Sequence, residues 1–199
     1  MKTMKSNITE LVEKARSGHD SSMNQLVDYF HKDIYRFIYY RTRSQVLAED
    51  LTQDVFFKMF KNIKRLKDIT KFKSWLYSIA VNRIKDHYRK KRVLEFFGAS
   101  TDVDEMFQSE QSQDNPGTDL MNKEFMLNFS KLLKNLTQLE QEVFVLKCVE
   151  QFKIKEIAQT LNKSESTVKT YLYRAFKKLK QNNEFSELLT EVDYVSSLN

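Results

Sequence analysis

The residues from Phe72 to Arg92 carry the side chains most suited to binding a ligand. They read FKSWLYSIAVNRIKDHYRKKR. At about 100° per residue, one helical stripe combines an aromatic ring, a hydroxyl, an amide and two cations: Trp75, Ser78, Asn82, Lys85 and Arg89. A ring stacks an unpaired base, an amide bonds its edge, and cations hold phosphates. The stripe therefore suits single-stranded nucleic acid, although a core Trp75 beside a solvated basic surface explains it equally well.

The preceding segment, LAEDLTQDVFFKMFKNI, has a different pattern. One broad apolar arc contains Ala48, Leu51, Val55, Phe56, Met59, Phe60 and Ile63. The opposite arc contains Asp50, Gln53, Asp54, Phe57 and Lys61. An exposed aromatic among polar groups is typical of a protein interface anchor, although single exposed aromatics are also normal. The acidic surroundings of Phe57 favour a basic protein surface over DNA as the partner.

A third pattern near the end of the chain predicts a helix, a short turn and a second helix. The apolar residues Ile154, Ile157, Ala158 and Leu161 form the first stripe, and Val168, Leu172, Ala175 and Leu179 form the second. The tripeptide at 162–164 interrupts them. We expect Ser164 to cap the second helix by accepting a hydrogen bond from a free backbone N–H.

The polar arc of that second helix carries groups that can bond base edges and phosphates: Ser166, Lys169, Thr170, Tyr173, Arg174 and Lys177. An α-helix fits the major groove of DNA. The pattern therefore favours DNA reading, with an ordinary polar helix face as the alternative. The preceding apolar segment, with Leu139, Val143, Leu146 and Val149, is expected to support the pair.

The elements that position these groups are predicted to be helices throughout. The 199-residue chain has 3 Gly and 1 Pro, and all four lie outside the apolar-periodic stretches. The fold class is all-α, with two small helical domains joined by a flexible acidic linker. The predicted parts are residues 1–95, the linker 96–119, a helix-turn-helix domain 120–180 and an acidic tail 181–199, in which Phe185, Leu188, Leu189 and Val192 have helical spacing.

Charge is distributed unevenly among these parts. Residues 1–95 hold 21 basic and 11 acidic residues, residues 96–122 hold 6 acidic and no basic ones, and residues 123–180 hold 12 basic and 6 acidic ones. Two basic blocks separated by an acidic spacer indicate a polyanion, and nucleic acid is the leading partner. The alternative is that the basic residues form solvated helix faces.

Composition also excludes several classes of protein. Three glycines nearly exclude a glycine-rich nucleotide cradle, and one cysteine excludes an internal disulfide framework. No stretch reaches the roughly 20 apolar residues of a membrane span, and we expect a protein of the cytoplasm that is not embedded in the membrane.

Nothing in the sequence indicates an enzyme. His19, His31 and His87 are scattered, and the adjacent Asp86 and His87 point about 100° apart on a helix, which disfavours shared metal binding. We expect no catalytic residue, no metal, no cofactor and no small-molecule substrate. Cys148 is expected to be a buried packing residue, with redox sensing as a remote alternative.

Three motifs together resemble the extracytoplasmic-function type of RNA polymerase sigma factor, in the sigma-70 family. They are AEDLTQDVFFKMF, then FKSWLYSIAVNRIKDHYRKKR, and, after a linker, LEQEVFVLKCVEQFKIKEIAQTLNKSESTVKTYLYRAFKKLK. The resemblance covers about residues 20–95 and 130–180. It implies a region 2-like domain that binds core RNA polymerase and the minus-ten element, and a region 4-like domain that binds the minus-35 element.

The resemblance also implies a role for particular residues. The core-polymerase surface, which meets a coiled coil of the largest subunit, falls on Asp50, Gln53, Asp54, Phe57 and Lys58. Minus-ten recognition falls on the loop 66–73 and the helix after it, where Asn82 matches a position that helps hold a flipped base. Together with the stripe above, the expected minus-ten contacts are Lys67, Lys71, Phe72, Lys73, Trp75, Ser78, Asn82, Lys85 and Arg89.

For the minus-35 element, the resemblance points to Lys169, Thr170, Tyr173 and Arg174. The whole expected surface is Ser166, Thr167, Lys169, Thr170, Tyr171, Tyr173, Arg174 and Lys177. Family members usually carry a basic residue where this chain has Tyr171, so the resemblance implies the class of site and not its preferred bases. The implied partners are core RNA polymerase with its largest and other subunits, promoter DNA and an anti-sigma factor.

The alternative is a stand-alone helix-turn-helix transcription regulator that does not join polymerase. Such a regulator usually forms a dimer on a two-fold operator. It has no use for an acidic face centred on Phe57 or for a stripe suited to unpaired bases, and those two features favour the sigma-factor interpretation.

Overall fold

A computed structural model describes residues 2–97 and 119–181, with side chains described for 8–97 and 125–181. These residues belong to two compact units. All regular secondary structure within the described ranges is helical, which confirms the all-α prediction with two helical domains. The predicted linker, apart from its ends, and the tail residues 182–199 lie outside the described residues. The domain boundaries themselves stay a prediction.

Four helices build the first unit, with two short 3₁₀ turns before the last. The helices are α1 (Lys2–Arg16), α2 (Asp20–Thr42), α3 (Gln45–Asn62) and α4 (Phe72–Phe96), and the turns are Ile63–Arg65 and Ile69–Lys71. Two side chains begin helices by accepting hydrogen bonds from free backbone N–H groups: His19 Nδ1 for α2, at 3.3 Å, and Ser44 Oγ for α3, at 3.2 Å. Arg43, with φ of 56°, ends α2 in the left-handed conformation.

The core of the first unit is aromatic and lies between α2, α3 and α4. Phe30 of α2 packs on Phe72 of α4 with ring centroids 5.5 Å apart, and Phe37 meets Tyr77 at 5.2 Å. Leu76, Ala80 and Ile84, which recur every four residues along α4, are fully buried. Tyr88 continues that row but is half-buried, because it lies at the margin of the unit.

The second unit consists of shorter helices. They are α5 (Asp119–Leu132), a 3₁₀ turn (Leu133–Asn135), α6 (Gln138–Phe144) continuing into a π turn (Val145–Val149), α7 (Ile154–Leu161) and α8 (Glu165–Leu179). Phe144 is the centre of the core, with ring centroids 6.4 Å from Phe129 and 5.5 Å from Phe176.

The turn between α7 and α8 matches the predicted helix-turn-helix. Asn162, with φ of 53°, ends α7, and Ser164 Oγ accepts a hydrogen bond from the Thr167 N–H at 3.1 Å. The capping role predicted for Ser164 is thereby confirmed. Because Val168 and Ala175 are fully buried, α8 turns its polar arc outward.

Two buried polar side chains of α6 hold this unit together. Gln141 Nε2 donates to the carbonyl oxygens of Leu133 at 2.6 Å and Leu136 at 3.1 Å, and fixes the turn before α6. Glu140 accepts from the Thr137 N–H and from Lys178 Nζ of α8, both at 2.7 Å. Burial raises the pKa of Glu140, but the hydrogen bonds from Lys178 and Thr137 outweigh it, so the pKa lies below its usual 4.5.

We expect acid to weaken the second unit through this ion pair. Because the folded-state pKa of Glu140 is depressed, its contribution is complete above about pH 4.5 and is lost as the pH falls through the lower folded value. Lys178→Ala should lower the free energy of unfolding by about 1 kcal/mol at neutral pH, since Lys178 is partly exposed to solvent. It should also reduce the loss of stability between about pH 5 and pH 3.

The measurement is urea unfolding followed through NMR amide signals of α8, which separate the second unit from the first. Lys155→Ala removes an exposed lysine of α7 and serves as the control. If the free energy of unfolding of Lys178→Ala fell with acid as steeply as that of the wild type, the ion pair would not be the cause of the acid sensitivity.

Candidate nucleic-acid and protein interfaces

The first candidate surface, called the α3 face, consists of the residues expected to meet core polymerase: Asp50, Gln53, Asp54, Phe57 and Lys58. The first three are exposed, Lys58 is half-buried, and the Phe57 ring is 56% exposed. Lys61 Nζ lies 4.1 Å from the centroid of that ring, so one side of the ring is covered by a cation and the other is open.

Buried residues on the other side of α3 fix this orientation. Ala48, Val55 and Met59 are fully buried, and Thr52 Oγ1 donates to the Ala48 carbonyl oxygen at 2.6 Å. The prediction that Phe60 belongs to the buried arc is wrong: its side chain is 45% exposed, because it lies at the edge of the arc. The α3 face is therefore bordered by a second open ring, one turn from Phe57.

The second candidate surface, the α4 stripe, consists of Trp75, Ser78, Asn82, Lys85 and Arg89. Trp75 is half-buried, and Ser78 Oγ donates to its carbonyl oxygen at 2.7 Å. Asn82 is exposed, and its amide has no hydrogen-bond partner in the described ranges. Lys85 is half-buried, and exposed Arg89 pairs with Asp86 at 3.0 Å. The stripe thus contains the half-buried ring of Trp75 and the amide of Asn82, whose donor and acceptor groups are both available.

The loop before α4 differs from its prediction at one position. Phe72 is only 1% exposed, so its side chain lies in the core and not on a surface that DNA can contact. Lys67 and Lys71 are exposed, and Lys73 Nζ lies 5.6 Å from the Tyr77 ring centroid. The expected minus-ten set is therefore corrected by removing the side chain of Phe72.

Asp68 orders this loop. Its carboxylate accepts from the Thr70 hydroxyl at 2.5 Å and N–H at 3.0 Å, and pairs with Lys71 at 3.4 Å. The hydrogen bond from the Thr70 hydroxyl, followed by the weaker contributions of its N–H and Lys71, lowers the pKa of Asp68. The carboxylate stays ionised at neutral pH, and the 3₁₀ turn stays capped.

The third candidate surface, the α8 face, is the outward arc of that helix. Its exposed members are Ser166, Lys169, Thr170, Tyr173, Arg174 and Lys177, whereas Thr167 and Tyr171 are half-buried. The Tyr173 ring is 70% exposed. Thr170 Oγ1 donates to the Ser166 carbonyl oxygen at 3.0 Å, which leaves the hydroxyl as an acceptor.

Sequence reasoning missed one contact in this face. The Arg174 Cζ lies 5.5 Å from the centroid of the Tyr171 ring, so Tyr171 supports Arg174 through its π face. The signal was present in the sequence, because an aromatic and an arginine three residues apart share a helix face.

The other residues considered for chemistry have structural partners. His19 caps α2, and the His31 ring stacks on Phe56 at 5.9 Å. Within residues 8–97 and 125–181, no three His, Cys, Asp or Glu side chains come together as a metal site. Cys148, predicted to be a buried packing residue, is half-buried, and burial raises the pKa of its thiol to about 11. That thiol is protonated at neutral pH, which disfavours redox sensing.

No helix in the part of the chain that the structure describes has the length and apolar character needed to cross a membrane.

Comparison with known proteins assigns both units to one family. Residues 26–93 match the family described as Sigma-70 region 2, and residues 126–179 match Sigma-70, region 4. The α3 face and the α4 stripe lie in the first range, and the α8 face lies in the second.

Individual relatives agree with this match. The ECF RNA polymerase sigma factor BldN of Streptomyces coelicolor is 28% identical over 171 residues, 85% of this chain and 63% of BldN. A Haemophilus influenzae protein named "Probable RNA polymerase sigma factor" is 30% identical over 141 residues, 65% of this chain and 73% of that protein. The chain thus spans less than two thirds of the length of BldN.

A solved structure shares the fold. It contains the sigma factor RpoE in complex with the anti-sigma factor NepR from Bartonella quintana. The TM-score is 0.62 at 22% identity, with 84% of this chain and 96% of that chain covered.

Neighbouring phenylalanines of α3 should respond differently to truncation. Phe56 is buried beside His31, so Phe56→Ala should lower the free energy of unfolding by about 3–5 kcal/mol. Phe57→Ala should change it by less than about 0.5 kcal/mol, because the ring is largely in solvent. Urea unfolding followed by the fluorescence of Trp75, the one tryptophan of the sequence, reports on the first unit. Equal losses in the two variants would show that Phe57 is part of the core.

Proposed function

We propose that this chain, which belongs to the extracytoplasmic-function group of the sigma-70 family, binds core RNA polymerase and directs it to specific promoters. The observation that carries the proposal is the presence of region 2 and region 4 in one chain, each with an outward face of the appropriate chemistry. A stand-alone regulator would need only the second.

The α3 face is the proposed polymerase contact. Its carboxylates at 50 and 54 suit a basic partner surface, and the open ring of Phe57 suits an apolar site on that surface. The partner implied by the family is the coiled coil of the largest polymerase subunit. Because the charged groups remain solvent-exposed, they contribute to steering and register, while the ring contributes most of the affinity.

The α8 face is the proposed reader of the minus-35 element. An α-helix fits the major groove, where Arg174 can bond guanine and Lys169 can bond a phosphate. The ring of Tyr173 is exposed, and an apolar contact with a thymine methyl group is its proposed role. Tyr171 limits the freedom of Arg174 by lying under its guanidinium, which lowers the entropy cost of ordering that side chain on DNA.

The α4 stripe, together with Lys67, Lys71 and Lys73, is the proposed minus-ten site. Strand separation costs a few kcal/mol per base, and stacking and hydrogen bonds to an extruded base offset part of this cost. Asn82 has the available amide for such a base, and Trp75 has the ring. The chain itself makes and breaks no bond in this scheme, since nucleotide polymerisation is performed by the core enzyme.

An anti-sigma factor is the proposed regulator. RpoE of Bartonella quintana is seen in complex with one, NepR. In this chain the α3 and α8 faces are the surfaces that such a partner would cover to block polymerase and DNA together. The proposed site of action is the cytoplasm, where polymerase and promoters are found.

The test of this function is run-off transcription with purified protein, bacterial core polymerase and a pool of genomic promoter fragments. Discrete transcripts that appear only with the protein are expected, and their aligned start sites would give both promoter elements. Absence of transcripts together with absence of core binding would favour the stand-alone regulator.

The double variant Gln53→Ala, Phe57→Ala should bind core polymerase at least about 30-fold more weakly, because an interface anchor is worth about 2 kcal/mol or more. Affinity is measured by fluorescence anisotropy of labelled protein titrated with core. Tyr29→Ala, which removes a similarly exposed ring from α2, is the matched control. Wild-type affinity in the double variant would refute the assignment of the α3 face.

A further inference from the structure

A cluster of two arginines and one tyrosine lies where α2 ends beside α4. The Arg41 Cζ lies 4.8 Å from the centroid of the Tyr88 ring, and the Tyr88 hydroxyl donates to the Arg41 carbonyl oxygen at 3.4 Å. Arg43 follows two residues later in the left-handed conformation, with its N–H bonded to the Tyr39 carbonyl oxygen at 2.7 Å. We call Arg41, Arg43 and Tyr88 the arginine cluster.

The cluster concentrates positive charge without an acidic counterpart. Within the described ranges, no carboxylate forms an ion pair with Arg41 or Arg43, and the buried Nε of Arg41 has no hydrogen-bond acceptor. The side chain of Arg43 is exposed by its surface area, and desolvation and, second, the charge of Arg41 lower its pKa. The carbonyl end of α2 supplies only about half a negative charge against two guanidinium groups.

Such an arrangement favours binding of an anion. A guanidinium that lies over an aromatic ring has fewer conformations, and the planar fork of its outer N–H groups matches the oxygens of a phosphate. The ring of Tyr88 therefore prepares Arg41 for a ligand before the ligand arrives.

The surroundings favour a nucleic-acid backbone over an acidic protein. From 83 to 92, α4 carries six basic residues and one acidic one. At 100° per residue, three of the six lie on the arc of the helix between Asn82 and Tyr88: Lys85, Arg89 and Arg92. Tyr88 follows Asn82 by six residues, or about 9 Å along the helix axis. The two side chains lie about 120° apart around that axis, so a strand that reaches both must follow the basic arc between them.

We propose that the arginine cluster binds one backbone phosphate of promoter DNA, on the same strand as the base taken up at Asn82. The inference rests on the proposed function and adds a positioning contact to it. Arg41 and Arg43 read no base; they fix where along α4 the strand lies, and so which base reaches Asn82.

The test uses holoenzyme containing the full chain and a promoter identified by run-off transcription. Arg41→Ala should weaken promoter binding about tenfold, equally for promoters of different sequence, and reduce the slope of log affinity against log salt by about 1. Arg41→Lys should recover only part of the loss, because lysine lacks the planar fork. Lys32→Ala, which removes an exposed cation from the same helix, is the matched control and should change neither quantity.

A scan of single methylphosphonates, each replacing one charged phosphate by a neutral group, identifies the contact. At one position, the methylphosphonate should weaken promoter binding by the wild type about tenfold and leave binding by Arg41→Ala unchanged. Tyr88→Leu should show the same loss of coupling at that position, and Tyr88→Phe, which keeps the ring, should retain it. Trp75 fluorescence during urea unfolding verifies that each variant is folded.

Two results would overturn the proposal. One is a scan in which no position couples to Arg41. The other is a loss of affinity for core polymerase in Arg41→Ala with promoter binding unchanged, which would make the cluster a protein contact. If the wild type itself starts no transcript, the proposed function fails and this inference fails with it. If the wild type starts transcripts but no methylphosphonate position couples to Arg41, only the phosphate assignment fails.

Discussion

The burial of Phe72 against Phe30 is the contact on which the first unit depends. It fixes the rotation of α4 at its first residue, because the Phe72 ring has one apolar site to occupy and lies there almost fully out of solvent. Each later side chain then follows at about 100° per residue. Leu76 and Ala80 point inward as a consequence, Asn82 points outward, and Trp75 and Ser78 lie half-buried between them. A buried residue thus determines which side chains of the α4 stripe reach the surface.

In the second unit, the rotation of α8 about its own axis is fixed by an ion pair and by two buried side chains. Lys178 of α8 bonds to buried Glu140, and Val168 and Ala175 lie in the interior. The Ser164 cap fixes where the helix begins. Because the turn from 162 to 164 contains no glycine, its backbone has little freedom to change the angle between α7 and α8.

The periodicity of apolar residues predicts features that depend only on residues close together in the sequence. The two stripes of the helix-turn-helix, the cap at Ser164 and the open ring of Phe57 all follow from spacing within one helix. Phe60 was misplaced because spacing gives the centre of an apolar arc and not where the covering helix ends. Phe72 was misassigned although it precedes Leu76 by four residues, a spacing that predicts a shared buried face.

Contacts between distant segments could not be predicted in this way. Arg41 and Tyr88 are 47 residues apart, and only the packing of α2 on α4 brings them together. Spacing likewise gave no reason to pair Glu140 with Lys178, which are 38 residues apart. A periodic pattern describes one helix at a time, whereas both contacts depend on the angle and offset between two.

The left-handed backbone at Arg43 lowers the stability of the end of α2. A residue with a side chain loses about 1–2 kcal/mol in that conformation, a cost that glycine would avoid. Glycine there would end α2 equally well and remove one of two guanidinium groups that stand two residues apart. Asn162 ends α7 in the same conformation, so both helices end at a backbone geometry that favours glycine without containing one.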